Sequence, residues 1–205
     1  FELLPNEIGA RLNLARVLFG AQKFSQALDH VKEVISMDRH SMAAHYLAGL
    51  SLMSLGETRQ AIAYFEKVIR QRPSNAVVQF QLAMAFKTDR QLDRFRQALQ
   101  SVVKLDENHW SAFYQLAQDA MARKELETAT EYMAQFQKLS SSIPAEKKTA
   151  ESLQRCSYLE IDIPEVVHQP EMDAIAVSFA PGELVWPEEP DKVQSNILAA
   201  GDTDQ

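Results

Sequence analysis

Cysteine is almost missing from this chain: Cys156 is the only thiol in 205 residues. That excludes an internal disulfide framework and any cysteine-rich zinc site. No apolar run approaches the ~18 residues needed to cross a bilayer. There is no Asn-x-Ser/Thr acceptor, and no basic-then-apolar leader precedes the opening Phe1. The start at Phe1 reads as a processed or partial chain. Positive charge is also short. The net charge is −7, which argues against nucleic acid, since binding there needs a basic surface to displace phosphate counterions.

Recognisable catalytic spacings are lacking too. The sequence has no GxGxxG, no GxxxxGK phosphate loop, and no HExxH, CxxCH or GxSxG. Ser101 and Lys104 make one SxxK match, but it stands without companion motifs and is read as chance. His40 and His45 are five apart, not the four that places two imidazoles on one helix face. All five histidines (His30, His40, His45, His109 and His168) are expected as surface or groove residues. No catalytic residue is assigned, and the chain is read as a non-enzyme.

What is present is a repeat. Ala15, Gly49, Ala83 and Ala117 are spaced 34 residues apart. The same step links Leu14, Ala48, Leu82 and Leu116. It also links Val31, Phe65, Leu99 and Met133, then Val34, Val68, Val102 and Phe136. Within each unit, apolar residues recur at helical spacing, as in "ALDHVKEVI" and "AIAYFEKVI". Short breaks such as "SLGET" divide each unit in two. Gly56 suits a helix C-terminus, where positive φ is often needed. Pro73 stops a helix, and Ser41 and Asn75 are candidate N-caps. Each unit is therefore a helical hairpin with one apolar face, and stacking the hairpins would bury that face.

The stretch "YLAGLSLMSLGETRQAIAYFEKVIRQRP" resembles the tetratricopeptide repeat, with Gly49, Leu55, Gly56, Ala61, Phe65 and Pro73 carrying the match. The resemblance implies an all-α solenoid of four hairpins over about residues 8–140, a scaffold that binds a protein or peptide. There are departures. Phe95 stands where the second helix normally has a small residue; its ring is expected to spread the hairpin or turn outward. Lys124 occupies a position where Gly is usual.

In that family the first helix of each repeat lines a concave groove. The matching residues are Leu12, Arg16 and Phe19; Tyr46, Leu50 and Met53; Phe80, Met84 and Lys87; Tyr114, Gln118 and Met121. Tyr46, Phe80 and Tyr114 are the expected anchors, although rings of this kind also pack first helix against first helix. A subclass clamps a peptide's C-terminal carboxylate with Lys, Asn and Arg. The corresponding positions here are Leu12, Arg16, Leu47, Val77 and Gln81. Only Arg16 could hold a carboxylate, so no such clamp is expected.

Residues 141–160 have a helical pattern and are read as a capping helix, with Cys156 as a small core residue. After residue 160 the composition changes. From Glu160 to Gln205 there are 11 acidic residues and one basic residue, whereas the preceding part carries +3. Pro164, Pro170, Pro181, Pro187 and Pro190 separate short β-favouring runs. This irregular, β-like extension is expected to lie on the stack, on a neighbouring subunit through self-association, or at the start of a β-domain. Its last residues, "NILAAGDTDQ", resemble the opening of an FG-GAP-type β-propeller repeat. That resemblance implies calcium held by Asp202 and Asp204 and an exported parent, periplasmic or extracellular. A soluble acidic terminus is the plainer reading, and no other cofactor is expected.

Overall fold

The computed structural model describes residues 5–142, with side chains from residue 7. The chain divides into two units, Phe1–Ile163 and Pro164–Gln205, and all described residues belong to the first. The expected capping helix, Cys156, the β-like extension, Asp202 and Asp204 lie outside the described residues.

The described residues form helices and short turns, in chain order α1 (Pro5–Gly20), α2 (Phe24–Met37), α3 (Met42–Ser54), α4 (Thr58–Gln71), α5 (Ala76–Thr88), α6 (Leu92–Leu105), α7 (Trp110–Ala122) and α8 (Leu126–Ser141). Each odd-numbered helix packs on the next to make a hairpin, and each hairpin packs on the one that follows. One continuous core runs through the stack, from Leu12 and Ala15 to Ala112 and Leu116. At its ends the same columns are more open. Leu14 is 45% exposed, whereas its repeat equivalents Ala48, Leu82 and Leu116 are buried.

The turns explain why the hairpins are so alike. Between paired helices the chain enters the left-handed region at Gln22, Gly56, Arg90 and Lys124, with φ of 60°, 81°, 62° and 64°. These positions are 34 residues apart. The residue after each donates its N–H to a carbonyl five residues back: Lys23 to Leu18, Glu57 to Leu52, Gln91 to Phe86 and Glu125 to Ala120, at 2.8–3.0 Å. This closing pattern satisfies the last carbonyls of the first helix. Glycine provides it without steric cost only at Gly56. Gln22, Arg90 and Lys124 adopt the same conformation against the preference of an L side chain.

Between hairpins the chain uses N-caps with the same period. Ser41 Oγ accepts from Ala44 N at 3.3 Å, and Asn75 Oδ1 accepts from Val78 N at 3.1 Å. Both match the sequence expectation. The third cap was not anticipated: His109 Nδ1 accepts from Ala112 N at 3.2 Å. Pro73 follows Arg72, the C-cap of α4, as expected.

Small residues let the paired helices approach. A Cβ added to Gly49 would meet the Phe65 ring at 2.5–2.9 Å, so the Phe65 ring fills the space a side chain on residue 49 would need. Of the two outcomes expected for Phe95, one is excluded. The ring does not turn outward; it is 2% exposed, within the core. The large side chain has changed place: the second hairpin combines Gly49, Ala61 and Phe65, the third Ala83, Phe95 and Leu99.

Candidate functional site

The candidate groove residues sit on the first helices, α1, α3, α5 and α7, in three rows parallel to the stack. The innermost row is largely core. Leu12, Tyr46 and Phe80 are 6%, 0% and 3% exposed. The Tyr46 ring lies 5.9 Å from Phe65, and Phe80 lies 4.6 Å from His109. Tyr114 is only half-buried. Of the three expected anchors, Tyr114 alone retains substantial accessible surface. Tyr46 and Phe80 are corrected to core residues: the Tyr46 ring packs on Phe65 of its own hairpin, and Phe80 on His109 at the start of the next.

The middle row opens along the stack. Arg16 and Leu50 are buried, Met84 is half-buried and Gln118 is exposed. Arg16 Nη1 donates to Asn13 Oδ1 at 2.7 Å. The outer row is the most accessible. Phe19, Met53 and Lys87 are half-buried, and Met121 is 48% exposed. The Phe19 ring packs edge-on against Phe24 at 5.4 Å.

Accessible groove positions include Phe19 on α1 and Met53 on α3, and are most numerous on α5 and α7: Met84, Lys87, Tyr114, Gln118 and Met121. Polar groups here are held in place. Lys87 Nζ donates to Gln115 Oε1 at 2.6 Å. Gln118 Nε2 donates to the Tyr114 hydroxyl at 2.8 Å. The Tyr114 ring lies 5.1 Å from Phe136 on α8. The patch combines an aromatic ring, two thioethers and polar groups fixed by hydrogen bonds.

Two histidines read as surface or groove residues are instead buried. His45 is 3% exposed and His109 is 7%. His45 Nε2 is 2.9 Å from the Arg39 carbonyl, which accepts from it, and its ring lies 5.7 Å from Tyr64. Burial lowers the pKa of both below the ordinary imidazole value. The capping role of His109 was legible only from the period: residues 41, 75 and 109 are one repeat apart. Among the described residues, no group of three or more His, Cys, Asp or Glu side chains is placed to hold a metal, and no helix is long and apolar enough to cross a membrane.

Comparison with known proteins agrees with this architecture. Two family models of the tetratricopeptide repeat match residues 12–76 and residues 52–120. No curated protein matched the sequence. Among solved structures, a double mutant of MamA RS-1 superposes with a TM-score of 0.64 at 21% identity, covering 68% of this chain and 78% of that one. MamA from Desulfovibrio magneticus RS-1, residues 41 to the end, gives 0.64 at 20% identity, covering 69% and 80%. A further crystal structure of MamA gives 0.64 at 16% identity, covering 67% and 80%. At these identities the likeness concerns the fold. The 34-residue hairpins, their periodic turns and the two family matches lead to one conclusion: over residues 12–120 this chain belongs to the tetratricopeptide repeat family.

Proposed function

We propose that this protein-interaction scaffold engages its partner on the first-helix face, at the accessible patch on α5 and α7. The observation that carries this is the exposure gradient. Along that face the side chains pass from core at Tyr46 and Leu50 to accessible Tyr114, Gln118 and Met121. Aromatic and Met side chains give a recognition surface large area and adaptable shape. A few such residues carry most of the binding energy of an interface. On this reading Tyr114 and Met84 are the anchors, and Lys87 and Gln118 orient the partner. The stack supplies a rigid surface and performs no chemistry itself. Calcium binding by Asp202 and Asp204 is a separate proposal, tested by calcium titration of the chain and of D202A/D204A.

The test of the patch is comparative affinity capture with the full chain and with Met84→Glu/Tyr114→Ala. Helical circular dichroism should be the same for both. A partner retained by the full chain should be lost from the variant. Equal retention by both would place the interface elsewhere.

A further inference from the structure

A second surface lies on the side of the second helices. Between α2, the N-terminal end of α3 and the C-terminal half of α4 there is a cleft of about 620 Å³. Lys32, Arg39, His40, His45, Lys67 and Arg70 line it, and among the described residues no Asp or Glu does. Residues 1–159 as a whole carry only +3, so four Lys and Arg side chains around one cleft call for an explanation.

Neighbouring arginines show what an internal explanation would look like. Arg94 pairs with Glu66 at 2.5 Å, Arg59 with Asp89 at 3.2 Å and Arg96 with Asp119 at 2.8 Å. Arg11 pairs with Glu33 and Glu7. Among the described residues the cleft's cations make no such ion pair. Asp38 is an acid whose charge reaches His45, and the Asp38 Oδ1 accepts the backbone N–H of His40 at 2.9 Å. Complementing helix dipoles accounts for only part of the cluster. Arg70 is in the last turn of α4, where a cation is favourable. Lys32 lies in the body of α2, more than a turn before its end at Met37. Lys67 is held over the Tyr64 ring, 4.8 Å from its centre. His45 forms a buried wall, and its Nδ1 has no hydrogen-bond partner.

We infer that this cleft is a docking site for an acid-rich peptide segment of a partner protein. The inference rests on the scaffold reading but not on the first-helix patch, which lies on different helices. The cleft is far larger than one phosphate, and its cations are spread over α2, the turn that leads into α3, α3 itself and α4. That arrangement suits several spaced carboxylates. Complementary charge of this kind speeds encounter and fixes register, and salt weakens it. Burial keeps His45 neutral at neutral pH, so Lys32, Arg39, Lys67 and Arg70 carry the attraction there.

The experiment titrates the full chain with a fluorescent peptide of Glu, Asp and Leu, at low and at raised salt. Lys32→Glu/Lys67→Glu alters two exposed side chains of the cleft. Lys104→Glu/Lys138→Glu makes the same change in net charge elsewhere on the surface. The expected result is salt-sensitive binding that falls at least tenfold in the first variant and is unchanged in the second. Equal loss in both variants would show attraction to net charge alone and overturn the proposal. So would absence of binding by the unaltered chain, or tighter binding of inorganic phosphate or anionic vesicles than of the peptide. Met84→Glu/Tyr114→Ala should bind the acidic peptide normally, so failure of the first-helix patch can be told from failure of this site.

Discussion

The second and third hairpins have the same turns and the same helix lengths, yet they distribute bulk differently. In α3/α4, Phe65 fills the space left by Gly49, and Ala61 keeps the helices close. In α5/α6 the ring belongs to Phe95, while Ala83 and Leu99 take the other two places. Interiors are close-packed, yet the third hairpin holds more bulk in these columns than the second: Gly49 is replaced by Ala83 and Ala61 by Phe95, and only Phe65 shrinks, to Leu99. Which position carries the ring is negotiable, because both rings are buried.

The strongest way to break this comparison is to remove the ring. Phe95→Ala should cost about 3–5 kcal/mol, the usual loss for a buried phenylalanine. Chemical denaturation would measure it. A loss close to zero would mean that the ring is not part of the core. Phe65→Ala should cost a similar amount, because the two rings fill the same kind of space from different columns.

Next in size is Gly49→Ala. Helix propensity alone favours alanine over glycine by about 1 kcal/mol. Against that, the new methyl would stand 2.5 Å from a fully buried ring, and overpacking of this kind costs about 1–3 kcal/mol. The clash should win, giving net destabilisation. Adding Phe65→Leu, the residue found at Leu99 beside Ala83, should recover part of the loss. If the single change stabilised the chain, the packing account of the second hairpin would be wrong.

These two hairpins also separate what could be read from the sequence from what could not. The period, the paired helices, Pro73 and the caps at Ser41 and Asn75 were legible, because each rests on local chemistry or on spacing. The fate of Phe95 was not. It depends on how the whole pair of helices packs around the ring, with Leu99 in place of a second phenylalanine, and spacing alone does not show that. Depth on the first-helix face was equally hidden. Spacing places Tyr46, Phe80 and Tyr114 on one face, but only packing makes Tyr46 core and leaves Tyr114 accessible. His109 escaped notice as a cap because imidazole is an unusual one, and the cleft cations because they come from separate helices.

The caps give a third contrast, between Asn75 and His109. Asn75 caps at any pH, whereas His109 caps only while Nδ1 is unprotonated. Burial lowers the folded-state pKa of His109 below about 6.5. Its contribution is therefore complete above the unfolded value and is lost as pH falls from there through the folded value. His45, lowered in the same direction, adds to the slope. Thermal melts at pH 7.5 and 5.5 should show the loss, about 1 kcal/mol for the cap. His109→Asn should reduce that loss. An unchanged pH profile would remove His109 as its source.

The smallest expected effect tests the turns. Gly56, Arg90 and Lys124 share one left-handed conformation, which costs an L side chain about 1–2 kcal/mol and glycine almost nothing. Glycine's greater freedom in the unfolded chain returns some of that difference. Arg90→Gly and Lys124→Gly should therefore each stabilise by about 0.5–1 kcal/mol, while Gly56→Ala should destabilise by a comparable amount. The opposite signs at equivalent positions matter more than the sizes. They would show that the second hairpin's glycine relieves a strain which the third and fourth hairpins still bear, and that the packing of α5/α6 and α7/α8 holds their turns in place. Destabilisation by Arg90→Gly would mean instead that the arginine side chain holds its turn through interactions that outweigh its backbone.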